Sequence, residues 1–250
     1  MPKIPPKYRA PALDKGLDIL ELLARTSGPL SMTAIAAAIG YSKGEIFRML
    51  QVLEERGYIA RENDAGFVLT NRLFLLGMER PPVKTLVDAA LPVMHRLAQQ
   101  AMQACHLVVA SGEQMVVIAR VEPPGDVGFV VRVGHRLPLV HSTSGAVLFA
   151  FQRKEMRARW MDALDAAGVK FARKRFVAQA DAIRNQGYAM LPSGDVDAVT
   201  DLSAPILRHG SAAGALTIPY VERRPVKVAM KTALERLRAA VADISRELTA

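Results

Sequence analysis

Residues 30–70 constrain this chain more than any other stretch, because helix caps, periodicity and turn residues follow one another there in a fixed order. Pro29 and Ser31 precede an Ala/Ile-rich run over 32–39 in which Ile35, Ala36 and Ile39 share one helical face, and Ser31 can accept a hydrogen bond from the first turn. Gly40 supplies the left-handed corner that a short inter-helix turn needs. Ser42, with Glu45 three residues on, is a capping box opening the next helix. The spacing predicts that helix over 43–56, with Ile46, Leu50 and Leu53 buried, Gly57 at its end, and Lys43, Gly44, Arg48 and Gln51 on or near the outside. Strands are expected over 58–61 and 67–70 around the turn Asn63-Asp64-Ala65-Gly66. This is the order of a winged helix-turn-helix, whose second helix presents its outer face to base edges and phosphates. Periodicity alone also admits ordinary helices and a hairpin packed together with no nucleic acid involved.

Further motifs sharpen the reading. The run Ala12-Leu13-Asp14-Lys15-Gly16-Leu17-Asp18-Ile19-Leu20, the stretch 42–53 centred on Arg48, and Glu55-Arg56-Gly57-Tyr58-Ile59 resemble the amino-terminal domain of the IclR family of bacterial transcriptional regulators. Gly134-His135-Arg136-Leu137-Pro138-Leu139 and His141-Ser142-Thr143-Ser144-Gly145-Ala146 resemble a segment of that family's effector-binding domain. So do Ile183-Arg184-Asn185-Gln186-Gly187-Tyr188-Ala189 and Leu202-Ser203-Ala204-Pro205-Ile206. The likeness runs in order over about residues 12–248.

It implies an α+β chain: a basic Pro-rich arm over 1–11, a winged helix-turn-helix domain over 12–78, a linker and linker helix over 79–103, and a GAF-like effector-binding domain over 104–250. The expected partners are double-stranded DNA, a small-molecule effector and a second copy of the chain, as a homodimer or tetramer, with no membrane and no cofactor. The DNA-facing set is Thr33, Tyr41, Ser42, Lys43, Gly44, Arg48 and Arg61. The resemblance implies an effector cup walled by His141, Thr143, Ser144 and Gly145 at a helix start, by Leu191 and Asp201 on neighbouring strands, and by Thr217 and Pro219 on the last strand.

Departures from the family pattern matter. Gly44 and Glu45 stand where small hydroxyl residues are common, so Glu45 either caps its helix, the favoured role, or accepts from a cytosine amino group. Ala146 replaces a frequent Lys, and Leu191 and Asp201 replace a ligand-contacting Asp and Cys of some members, so the effector cannot be copied from them. A helix start carrying Thr143 and Ser144 suits a carboxylate. An ionised Asp201 favours a hydroxyl, amine or metal-bound group instead, unless it is protonated or turned outward. The effector expected is a small aromatic or hydroxylated carboxylic acid; Thr143 and Ser144 acting only as helix caps is the alternative.

Composition fits a cytoplasmic protein of more than one domain. Half the residues are hydrophobic, no apolar run of membrane-spanning length occurs, and the start Met1-Pro2-Lys3-Ile4-Pro5-Pro6-Lys7 lacks the apolar core of a signal peptide. Cys105 is the only cysteine, so an internal disulfide and a Cys-x-x-Cys site are both excluded. The net charge of +9 lies mostly outside the reading head: residues 1–80 hold 11 Lys/Arg against 9 Asp/Glu, and residues 81–250 hold 22 against 15. Lys3, Lys7 and Arg9, with Lys43, Arg48 and Arg61, could still form a local phosphate-binding face. The clusters Arg153-Lys154-Arg157-Arg159 and Lys170-Arg173-Lys174-Arg175 read as solvated faces or dimer-contact surface.

After the wing, residues 71–78 read as a short apolar turn, Pro81-Pro82 as a break, and 83–102 as a helix with Leu86, Ala90, Val93, Leu97 and Ala101 on one side, facing a second subunit or the domain behind it. Strands are expected over 107–110, 115–121, 129–133, 188–191, 199–207 and 213–220, in two antiparallel groups, with helices over 144–152, 154–167, 177–186 and 226–248. His106 and His141 could converge with Asp201 on a metal or ligand, although zinc-like spacing is missing. His141, Asp201 and Ser144 are also the residue types of a nucleophilic triad. No Gly-x-Ser-x-Gly elbow, phosphate loop or His-Glu-x-x-His helix accompanies them, so an enzyme, or a docking module without an operator, is the alternative class.

Overall fold

The computed structural model describes residues 10–62, 65–79, 81–124, 128–194, 196–222 and 225–249, and these divide into two compact units, residues 1–83 and 84–250. The basic arm with Lys3, Lys7 and Arg9, and the turn residues Asn63 and Asp64, lie outside the described residues.

In the first unit, helix α1 (Pro11–Ala24) packs against α2 (Met32–Ile39) and α3 (Lys43–Glu55), and the strands β1 (Ile59–Arg61) and β2 (Phe67–Leu69) form an antiparallel wing. Ile19, Leu23, Ile35, Ile46, Leu50, Ile59 and Phe67 are its buried core. Local chemistry accounts for the joints. Ser31 Oγ accepts from the Ala34 amide at 3.2 Å, Gly40 takes φ +76° after α2, and Gly57 takes φ +72° after α3. The wing is anchored to the turn before α2: the Leu30 amide donates to the Phe67 carbonyl at 3.0 Å, and the Phe67 amide returns the bond at 2.8 Å. Gly66 is required at that crossing. Its φ is +129°, and a Cβ there would stand 2.3 Å from the Leu30 carbonyl oxygen.

Two expectations change here. The family run over 12–20 forms most of α1, an element the periodicity argument had not assigned. Residues 71–78 are not a turn but most of helix α4 (Arg72–Glu79), with Leu73, Phe74, Leu75 and Leu76 exposed. An apolar run reads as a buried turn only if something covers it, and among the described residues these four are exposed.

In the second unit, α5 (Pro81–Ala101) leads into a single six-stranded antiparallel sheet rather than two groups of strands. Its strands are β3 (Cys105–Ser111), β4 (Gln114–Val121), β5 (Arg136–Pro138), β6 (Ala189–Pro192), β7 (Val199–Arg208) and β8 (Ser211–Val221), ordered β5-β4-β3-β8-β7-β6. Residues 129–133 do not join the sheet. The chain meets β4 only from Gly134, at φ +85°, whose amide donates to the Val117 carbonyl at 2.8 Å, and regular pairing starts at Arg136, while Phe129 and Val131 line the cavity with their side chains.

One face of the sheet carries α6 (Thr143–Ala150), α7 (Lys154–Ala166) and α8 (Arg173–Gln186), packed through Val108, Met115, Val117 and Ala215. All eight residues of α6 are buried, which explains why its sequence shows no polar side. The other face carries α5 and α9 (Met230–Glu247). Leu86 of α5 lies against the bare Gly214 of β8, Ser245 of α9 accepts from the Leu207 amide at 2.9 Å, and the Arg236 guanidinium donates to the Gln100 carbonyl. Leu86, Ala90, Val93, Leu97 and Ala101 are all buried within this chain, so the apolar side of α5 packs on the domain behind it. The basic clusters of α7 and α8 are partly neutralised by acids on the same two helices, Arg157 by Asp181 at 3.0 Å and Arg173 by Asp165.

Candidate nucleic-acid interface and ligand cavity

Helix α3 divides sharply into two sides. Ile46 and Leu50 are buried, Met49 and Leu53 partly so, whereas Lys43, Gly44, Phe47, Arg48, Gln51, Val52 and Glu55 are exposed. Its start is held by a compact polar network. The Ser42 amide and hydroxyl both donate to Glu45 Oε2, at 2.9 and 2.8 Å, and Lys15 of α1 donates to Glu45 Oε1 at 2.7 Å. Lys15 also lies over the Tyr41 ring at 4.9 Å, and the Tyr41 hydroxyl donates to Asp18 at 3.2 Å. Glu45 therefore caps its own helix, and the alternative of a cytosine contact is already outcompeted by three donors. Tyr41 and Ser42 work inside this network, fixing α1 against the front of α3, while Thr33, Lys43, Gly44 and Arg48 are exposed. Arg61 on the wing is exposed but engaged, stacked over Phe67 at 4.8 Å and 3.7 Å from Glu54.

The network has an electrostatic purpose. Lys15, and then the Ser42 donors, hold the Glu45 carboxyl down to about 2 from 4.5, so a charged carboxylate at the front of α3 is paired rather than bare. Because the folded value lies below the unfolded one, this contact contributes fully above about pH 4.5 and is lost as the pH falls toward 2. In Lys15→Met the Glu45 midpoint is expected to climb back toward 4.5, read by an NMR carboxyl titration. A midpoint that stays put would show that Ser42 alone holds the charge.

In the second unit, a cavity of about 60 Å³ lies on the face of the sheet that carries α6. Of the eight residues expected to wall a cup, His141, Ser144, Asp201 and Thr217 line it. The other four do not. Thr143 and Leu191 line a neighbouring cleft of about 290 Å³ with Arg175 and Gln179, which shares His141, Ser142 and Gly194 with the cavity. Gly145 faces the turn before α6, where a Cβ would stand 2.3 Å from the Leu139 carbonyl oxygen; its role is close approach. Pro219 pairs with Asp201, two rows along the sheet from the Thr217–Ser203 pair, of which Thr217 lines the cavity.

Sequence reasoning left out Met115, Phe129, Val131, His135, Leu137, Ser142, Ser193, Gly194 and Val196 from the lining. Most come from irregular segments whose path no periodicity reveals. His106 of β3 pairs across the sheet with Thr217, which in turn pairs with Ser203, so three polar side chains stand in one row; Ser203 and Thr217 hydroxyls are 2.9 Å apart. His106 is 5% exposed, and its Nδ1 has no hydrogen-bond partner among the described residues. Burial, with His135 nearby, pushes it down to about 4 from 6.5, so a neutral imidazole faces the cavity at neutral pH. His106, His141 and Asp201 thus share one cavity. Among the described residues, however, no group of three or more His, Cys, Asp or Glu side chains could hold a metal ion.

Comparison with known proteins places this geometry. Residues 12–63 match the IclR helix-turn-helix domain, and residues 83–246 match the family described as bacterial transcriptional regulator IclR C-terminal. The transcriptional regulator KdgR of Escherichia coli is 23% identical over 229 residues, covering 88% of this chain and 86% of KdgR. SauR of Cupriavidus necator is 29% identical over 147 residues; the match spans 58% of each chain. Among solved structures, HmgR of Pseudomonas aeruginosa superposes with a TM-score of 0.74 at 24% identity, covering 96% of this chain and 99% of that one. An IclR homologue from Microbacterium hydrocarbonoxydans, solved in complex with 4-hydroxybenzoate, superposes with a TM-score of 0.78 at 21% identity, covering 95% and 98%. The families and the named curated relatives are regulators of transcription, not enzymes. Two family matches that follow one another through the winged head and the α+β domain, the second alone covering residues 83–246, establish that the chain belongs to the IclR family of bacterial transcriptional regulators.

Proposed function

We propose that this chain is a cytoplasmic regulator whose affinity for one operator is set by a small aromatic or hydroxylated carboxylic acid bound in the sheet cavity. The observation that carries the DNA half is α3 itself: buried through Ile46 and Leu50, braced by Lys15 and Ser42, and open on the side that bears Lys43, Gly44 and Arg48. Such a helix sits in the major groove with its first turns against the bases, while Thr33 and Arg61 approach phosphates from α2 and the wing. The effector half is supported by the cavity's polar end, where Ser144 at the start of α6 can take a carboxylate and His106 offers a neutral ring nitrogen. The 4-hydroxybenzoate complex of the Microbacterium homologue has the same chemical character. Asp201 lines the same cavity and is the residue against which an anionic effector must be tested.

The functional unit we propose is a homodimer, in which the exposed Leu13 and Leu17 of α1 and Leu73 and Phe74 of α4 are covered by a second copy. Two heads then meet successive major grooves of a near-palindromic site. Effector changes operator affinity by the difference in its own affinity for the two arrangements of the heads.

A gel shift across salt concentrations tests the DNA half: specific duplex binding that weakens steeply with salt is expected, and salt-independent or sequence-blind binding would remove the reading. For the effector half, a thermal-shift screen of carboxylic and aromatic acids should find a compound that raises the melting point. Asp201→Leu and His141→Phe fill the cavity and are expected to abolish that rise while leaving basal operator binding intact. Variants that still respond would place the effector elsewhere.

A further inference from the structure

Two residues on the outer stripe of α3 are not called for by the packing of the described residues, although Phe47 lines a cleft between α3 and the wing with Met32, Leu50, Gln51, Arg61 and Phe67. Gly44, Phe47, Arg48 and Gln51 stand at i, i+3, i+4 and i+7 and so share one face, opposite Ile46 and Leu50. Phe47 is 48% exposed, a large ring beside two polar neighbours. Gly44, one turn earlier, has no positive φ that would call for glycine, and a Cβ there would meet nothing within 4 Å. Glycine in a helical turn weakens the helix relative to alanine, and an exposed ring gains little from water. Both make sense against a partner that comes close at Gly44 and offers an apolar group to Phe47. The stripe carries the exposed cation Arg48 and has Lys43 beside it, which suits a polyanion better than a protein surface. In the major groove of a duplex, one base alone carries an apolar group, the 5-methyl of thymine.

We propose that Phe47 is a specificity-determining residue that packs its ring on a thymine methyl in the operator, and that Gly44 leaves the room that lets α3 come near enough to do so. This rests on the reading of α3 as the DNA-reading helix. It adds to that reading a base identity, thymine, and a mode of recognition, burial of one methyl group, which does not depend on hydrogen bonding.

The test uses the full chain. Wild type and Phe47→Ala each select binders from a random duplex pool, and the thymines of the wild-type consensus are then replaced one at a time by deoxyuridine, which removes only the methyl. One position in each half-site is expected at which the replacement weakens wild type about fourfold, the worth of one buried methyl. Phe47→Ala should lose less than about half of its affinity on the same replacement, and its own consensus should be degenerate at that position. Phe47→Leu, which keeps an apolar side chain and the half-exposed setting, should retain part of the preference and supplies the readout if the alanine variant melts early. Equal losses in wild type and variants, or a wild-type consensus indifferent to every methyl, would overturn the role of Phe47 while leaving DNA binding intact. A wild type that enriches no sequence would overturn the DNA-reading helix and this proposal together.

Discussion

Arg48→Ala is expected to weaken operator binding by about 5- to 150-fold, the range spanned by the loss of one well-made base contact of about 1–3 kcal/mol. The guanidinium stands on the exposed side of α3, one turn past the braced start of the helix, with Gly44 and Gln51 on the same stripe. Truncation removes no buried surface, so the melting point should move by no more than an ordinary surface substitution allows, about 0.5 kcal/mol. Effector affinity should be unchanged. Titration of the selected operator by fluorescence anisotropy at fixed salt reads the first effect and calorimetry the second. A base contact and a phosphate contact separate cleanly: loss of a guanine contact relaxes the sequence preference at one position, whereas loss of a phosphate contact weakens all duplexes alike and lowers the salt slope by about 1. Unchanged operator affinity would remove Arg48 from the interface.

Ile46→Ala should abolish DNA binding by a different route. Ile46 is fully buried in the cluster that also holds Ile19, Ile35, Leu50 and Phe67, the apolar core between α3 and its neighbours. Deleting a side chain of this size from a packed core costs about 2–5 kcal/mol, because lost transfer energy and residual cavity add. That is a large fraction of what holds a domain of this size, whose total stability is on the order of 4–12 kcal/mol. Protection of the α1–α3 amides from hydrogen exchange should fall by more than about tenfold, with the sheet domain unaffected. Ile46→Val, at about 0.5–1.5 kcal/mol, should restore most of the protection and the binding. Protection unchanged in Ile46→Ala would mean that the helix is held by something other than its apolar side.

The reading head was legible because its signals are local. Ser31, Gly40, the Ser42–Glu45 pair and Gly57 each fix a helix end within a few residues, and the structure uses all of them. What the local signals could not supply was the partner from elsewhere in the chain. Lys15, 30 residues before Glu45, decides that the carboxylate is neutralised, and no spacing rule points to it. For α4 the same gap misled: its apolar residues face outward, and a hydrophobic run carries no mark of whether its cover comes from the same chain.

The cavity was half legible for a related reason. A strand's residues are easily assigned to faces, but its register against its neighbours is not, and a shift of one row decides which side chains meet. Asp201, Pro219 and Leu191 form one row, and His106, Thr217 and Ser203 another, two rows along. Only part of the first row reaches the cavity, while the unpaired nitrogen of His106 belongs to the second. The lining supplied by Phe129 and Val131 comes from a segment whose alternation resembles a strand but whose backbone stays out of the sheet.

The most direct measurement is a methylation-protection footprint with dimethyl sulfate, which attacks guanine N7 in the major groove and adenine N3 in the minor groove. The wild-type chain should shield guanine N7 within each half of the selected operator, and Arg48→Ala should lift that shielding while the fold persists. Full reactivity of every guanine N7 under saturating wild-type protein, or shielding confined to adenine N3, would show that α3 does not enter the major groove.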